Sequence, residues 1–122
     1  MTILRLPWPD KRLHPHAKGH CRPKHEATKA ARFYAKVVAD EARVEPDPKA
    51  RLVFMFSPPK RGGTPDIQNM PHRCKAYIDG IADAMGVDDR HFRVAWPAEF
   101  LNKCDGGSVT VRIETTGVTT TT

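Results

Sequence analysis

Residues 67–86 read IQNMPHRCKAYIDGIADAMG. Within them Ile67, Met70, Cys74, Tyr77, Ile78, Ile81 and Met85 recur at intervals of three and four, the period of one helical face. The spacing predicts a helix over 70–85. Pro71 suits its first turn, where a missing N–H has no intrahelical partner to lose. Asn69 is the expected cap before the helix, and Gly86 the expected left-handed residue after it. Such a helix is roughly 24 Å long at about 1.5 Å per residue. His72, Lys75 and Asp79 also stand three and four apart, on a stripe separate from the apolar one.

The rest of the chain falls into place around this helix. Residues 51–57, RLVFMFS, are a dense apolar run of strand length and are expected to form a central strand. The loop SPPKRGGTP that follows shows no side-chain period. In residues 26–44, Ala27, Ala30, Ala31, Tyr34, Val37, Val38 and Ala42 form an apolar face opposite Lys29, Arg32, Lys36 and Asp40, so a second amphipathic helix is expected there. EPDP at 45–48 stops it, because proline removes a donor and restricts the residue before it. Residues 2–7, TILRLP, alternate as a short strand that Trp8-Pro9 ends. Residues 9–25 are rich in proline, histidine and basic groups and read as an extended arm. Residues 91–97, HFRVAWP, and 108–115, SVTVRIET, read as strands, and 116–122 as a frayed tail. The order β-α-β-α-β-β in 122 residues predicts one α+β domain, a mixed sheet with two helices packed on one face.

The formal net charge is +6, from 20 Lys and Arg against 14 Asp and Glu, which favours a polyanionic partner. The distribution says more than the total. Residues 1–30 hold Arg5, Lys11, Arg12, Lys18, Arg22, Lys24 and Lys29 against Asp10 and Glu26 alone, while Asp66, Asp79, Asp83, Asp88 and Asp89 cluster later. A basic half beside an acidic group suits a metal-dependent nuclease, in which cations hold phosphates and carboxylates hold the metal. No apolar run reaches the roughly 18 residues of a membrane span. The N-terminus turns polar too soon for a signal peptide. Cys21, Cys74 and Cys104 stand far apart with no paired spacing, as expected of reduced thiols in a cytoplasmic protein.

The chemistry concentrates in residues 58–89. A basic loop (Lys60, Arg61, Gly62, Gly63) comes first, then Asp66 at a helix entrance, Lys75 and Asp79 on the helix, and Asp88-Asp89 before a strand. Magnesium takes oxygen ligands, keeps several waters and needs only one or two carboxylates. A nearby lysine neutralises charge building on a phosphate. Loop N–H groups freed by glycine hold a neighbouring phosphate. Each piece also has a plainer role: Asp66 as a dipole-stabilising cap, Lys75 and Asp79 as a surface pair, Asp88-Asp89 as turn residues. Only their ordered combination points to chemistry. His14, His16, His20, Cys21 and His25 are zinc-ligand types, but their spacing matches no common finger. Lys11, Arg12, Lys18, Arg22 and Lys24 read instead as phosphate contacts, joined by Lys60 and Arg61.

LPWP at 6–9, D-I-Q-N at 66–69, K-A-Y-I-D at 75–79 and D-D at 88–89 together resemble the RusA-type Holliday-junction resolvases, from Leu6 to about Thr115. The resemblance implies a homodimer that needs magnesium, or manganese in its place. It implies paired nicks across four-way or other branched DNA during recombination and repair in a bacterium or its phage. No membrane and no small-molecule cofactor would take part. Asp66, Lys75 and Asp89 would be the catalytic residues, with Asp66, Gln68, Asp88 and Asp89 around the metal. Gln68 stands where the family has a second carboxylate; its amide oxygen ligates magnesium but brings no charge. An alternative is therefore a non-catalytic dimer that binds branched DNA through a metal site weakened at Gln68. The expected helix separates Asp66 from Asp89, so either the loop runs back along it or a second subunit completes the site.

Overall fold

A computed structural model describes residues 1–13 and 21–115, without the side chains of 21–23. Strand β1 spans Thr2–Pro7, helix α1 Cys21–Glu41 and strand β2 Arg51–Ser57. Two helices follow, α2 at Met70–Arg73 and α3 at Lys75–Met85, then strands β3 at Arg93–Ala95 and β4 at Ser108–Glu114. Short 3-10 turns sit at Lys11–Leu13, Ile67–Asn69 and Asp89–His91. The result is a small α+β domain with a mixed sheet in the order β1-β4-β2-β3.

β4 runs antiparallel to both neighbours, pairing Leu4 with Val111 on one side and Phe54 with Val111 on the other. β3 lies parallel to β2, with Leu52 opposite Val94. The period of two in each strand then decides the core. Leu4, Leu6, Leu52, Phe54, Phe56, Val109, Val111 and Ile113 all point to one face, where they join Ala35, Ala39, Met70, Cys74, Tyr77, Ile78, Ile81 and Met85 from the helices. The helices therefore cover one face only. The other face carries Arg5, Thr110 and Met55 in one row and Ile3, Arg112 and Val53 in the next.

Three expectations need correction. The single helix over 70–85 is broken at Cys74, whose backbone (φ −101, ψ 2) leaves the helical region. The apolar stripe survives the break, since Met70 and Cys74 are both fully buried. Asn69 makes no side-chain cap; Asp66 caps the preceding 3-10 turn, its Oδ1 accepting from the Gln68 N–H at 3.0 Å. The buried side of α1 is also rotated from the expected one. Ala35 and Ala39 are fully buried, whereas Tyr34 is 48% exposed. The cause is a close approach of α1 to α3, where Gly80 lies against Ala35 and the backbone of Arg32 and Lys36. Small residues face that approach and the tyrosine ring is left at its edge.

Chain ends of elements have local causes. α1 stops before the EPDP prolines because Arg43 adopts a left-handed conformation (φ 54) and the Val44 N–H turns back to the Ala39 carbonyl. α3 ends, as expected, at left-handed Gly86 (φ 71). β3 is shorter than residues 91–97 because Asp89–His91 coils into a 3-10 turn first. The expected tail lies outside the described residues, as do residues 14–20 of the basic arm; the arm's last residues, 21–25, are not extended but form the first turn of α1. Among the described residues, no helix is long and apolar enough to cross a membrane.

Candidate functional site

Lys75 opens α3, and Asp79 follows one turn later on the same face, so Lys75 Nζ donates to Asp79 Oδ1 at 2.8 Å. The left-handed cap at Gly86 then reverses the chain. Asp88 caps the next 3-10 turn by accepting from the Arg90 N–H, which fixes that turn beside α3. Asp89 thereby reaches Lys75 Nζ, with Oδ2 at 2.5 Å. The reversal after Gly86 brings Asp89 to Lys75 within one subunit, whereas Asp66 accepts from the Gln68 N–H of its own turn.

The group extends along α3. Asp83, one turn beyond Asp79, takes a two-pronged bond from Arg32 of α1, with Nε at 2.6 Å and Nη2 at 2.8 Å. The Arg32 side chain holds the Asp83 carboxyl below the usual aspartate range. Burial pulls the Lys75 pKa down, but the bonds it donates to Asp79 and Asp89 outweigh it and leave its pKa above the ordinary lysine value. The outcome is a row of alternating charges on the polar side of α3: Lys75, with Asp79 and Asp89 on one nitrogen, then Arg32 on Asp83.

Beside this row is a pocket of about 180 Å3 lined by Leu13, Lys24, Thr28, His72, Arg73, Lys75, Ala76 and Asp79. A second, larger cleft of about 580 Å3 is lined by Trp8, Pro9, Lys11, Pro59, Arg61, Gly62, Gly63, Thr64, Pro65 and Arg73. Arg73 belongs to both. The LPWP turn is tied to the helices from below, since Tyr77 Oη donates to the Pro7 carbonyl at 2.6 Å and Arg73 Nη2 to the Pro9 carbonyl at 2.5 Å.

Of the expected metal ligands, Asp89 alone bonds Lys75. Asp66 is exposed and its carboxylate is spent on its own turn; Gln68 is exposed on that turn. Asp88 accepts from the Arg90 backbone and pairs with its guanidinium at 3.1 Å, and the backbone bond holds its pKa below the usual range. Among the described residues no three His, Cys, Asp or Glu side chains gather as a metal group. Asp79 and Asp89 nevertheless fit a water-rich magnesium ion in donor type and number. They converge on one cation already, the Lys75 ammonium.

The basic residues divide between the two hollows. Lys24 lines the pocket beside Lys75, and Lys11 and Arg61 line the cleft. Arg12 is engaged by Asp10 through both Nε and Nη2. Lys60 stands 3.6 Å from Asp105. Lys18 and the side chains of Arg22 and Cys21 lie outside the described residues, as do His14, His16 and His20 of the set considered for zinc. Arg73 and Arg32 are not among the site residues expected from the sequence. Arg73 carries a visible signal: it interrupts the stripe between Met70 and Tyr77, where a charge has no ordinary place.

No family model matches the chain. It is similar to an uncharacterized protein of Xylella fastidiosa (strain Temecula1 / ATCC 700964), with 41% identity over 124 residues, covering 98% of this chain and 78% of that one.

Proposed function

The chain belongs to one family with this Xylella fastidiosa protein, and we propose that it is a magnesium-dependent endodeoxyribonuclease that resolves Holliday junctions, of the RusA-like type. The meeting of Lys75 with both Asp79 and Asp89 carries the reading. These residues come from the K-x-x-x-D and D-D motifs of the resemblance, and they lie beside cations that suit a phosphate chain.

Lys24, Lys11 and Arg61 hold the backbone phosphates of the bound strand, which sets its path without reading sequence. Asp79 and Asp89 would hold a magnesium ion, which would supply Lewis-acid chemistry to the phosphodiester and activate a water; manganese has the same oxygen preference. Lys75 turns from its carboxylates to the phosphate and neutralises charge as it builds. Arg32 keeps Asp83 occupied, so that α3 presents Asp79 at a constant height. Paired nicks need two such sites, so the acting species is a homodimer with twofold symmetry.

A second reading, a non-catalytic dimer that binds branched DNA, is favoured by the exposed positions of Asp66 and Gln68 and by the bond of the Asp66 carboxylate to its own turn. One experiment separates the two: cleavage of an immobile four-way junction with and without magnesium, beside Asp89→Asn. The endonuclease reading expects paired, magnesium-dependent nicks that fall by about two orders of magnitude in the variant. Tight junction binding without product in magnesium or manganese favours the binding module. Neither binding nor cleavage refutes both.

A further inference from the structure

Arg73 is 6% exposed, yet among the described residues no carboxylate pairs with it. Its guanidinium has the Pro9 carbonyl on Nη2 and the Trp8 ring on its face, with Cζ 5.8 Å from the ring centroid. Its Nε is buried without a hydrogen-bond partner. Asp10 attracts it only at longer range and is itself bound to Arg12. Burying a cation against neutral groups is costly unless an anion meets it. Every other arginine that the structure pairs with a carboxylate is exposed or half-exposed, where water would serve as well.

The cleft above Arg73 supplies what such a cation lacks. Its lining holds Lys11, Arg61 and Arg73 and no acid. Gly62 is left-handed (φ 85) and a Cβ at Gly62 or Gly63 would meet nothing, so their backbone stands open to a ligand. Successive N–H groups in a left-handed turn form concavities that suit anions. The planar guanidinium fork matches phosphate oxygens.

We propose that this cleft is a phosphate-binding subsite in which Arg73, Arg61 and Lys11 hold a phosphate oxyanion against the Gly62–Gly63 loop. Arg73 also lines the pocket that contains Lys75 and Asp79, so the subsite lies next to the candidate catalytic group. Assigning the phosphate to a DNA strand passing both hollows rests on the nucleic-acid reading above. Recognition of the phosphate itself does not.

The test is an NMR titration of the 15N-labelled full chain, without divalent cation, following the Arg73 Nε–H and the Gly62 and Gly63 amides. Inorganic phosphate is one probe and a short single-stranded oligothymidylate with no terminal phosphate is the other. The expected result is a saturable shift of all three signals. Arg61→Ala, on the exposed loop, weakens it about tenfold, the loss of one charge-assisted contact. Arg73→Lys keeps the charge and loses the fork; should it not fold, Lys11→Ala and Arg61→Ala carry the test. A response to the oligonucleotide identifies a strand phosphodiester, and a response to inorganic phosphate alone identifies a free or terminal phosphate. No saturable shift with either probe, or a shift that Arg61→Ala and Lys11→Ala leave intact, overturns the proposal. A junction that is never cut while phosphate still binds would remove the catalytic reading and leave the subsite standing.

Discussion

Gly80→Ala tests the contact that sets the height of α3 against α1. A Cβ at position 80 would sit 2.8 Å from Ala35 Cβ and 3.0 Å from Lys36 N, and would collide with the Arg32 carbonyl. Carbon atoms pack at about 3.5–4.0 Å, so the helices must part by about 1 Å. The obstacles are backbone and a methyl group that cannot rotate away. Overpacking of a tight core typically costs about 1–3 kcal/mol. Alanine returns about 0.5–1 kcal/mol of helix preference. The net expectation is a destabilisation of about 1–2 kcal/mol, or a fall of roughly 4–10 °C in Tm for a domain of this size. Thermal unfolding followed by circular dichroism, with urea unfolding beside it, reads the change. An unchanged or higher Tm would refute the close approach, because helix preference alone predicts a gain. The same separation moves Arg32 from Asp83, so junction cleavage is expected to fall in the folded variant.

Tyr77→Phe removes the bond to the Pro7 carbonyl and should cost about 1 kcal/mol, read as a lower urea midpoint with an unchanged slope. In the parent protein, burial raises the Tyr77 pKa, and ultraviolet titration should show one tyrosine resisting ionisation beyond the ordinary value of 10.0. Asp83 is lowered from 3.8 by the Arg32 side chain, so its contribution to stability is present above 3.8 and is lost as pH falls through the lowered folded value. In Arg32→Met the carboxyl carbon of Asp83 should titrate closer to 3.8. Lys75 has the opposite sign: its pKa is raised from 10.5, so its contribution is present below 10.5 and is lost as pH rises through the raised folded value. With Asp79→Asn and Asp89→Asn together, burial remains without its compensation and the Lys75 titration should move down; no movement would dissociate the two carboxylates from Lys75.

The pairing of Lys75 with Asp79 was legible in the chain, because residues four apart on a helix are neighbours whatever surrounds them. So were the strand at 51–57 and the left-handed end at Gly86, since each depends on the local pattern alone. The rotation of α1 was not. Its face is chosen by Gly80, fifty residues away from Ala30, and no periodicity within 26–44 distinguishes Ala35 from Tyr34. Asp66 was visible as a helix-entrance acid, but whether it serves a turn or a metal depends on where the turn points.

Sequence by itself determined which residues are apolar at period two and at periods three and four, and hence the principal elements, the buried sides of the strands and of the helix after Asn69, and the α+β class. It also determined the excess of cations, which needs no structure to act on a polyanion. Tertiary structure alone decided that Asp89 returns to Lys75 and that Lys11 and Arg61 face a common cleft. It also decided that Arg73 is buried beneath that cleft without a carboxylate. Periodicity is a property of neighbours along the chain, whereas convergence depends on where a helix breaks, as at Cys74, and on how the chain reverses after Gly86.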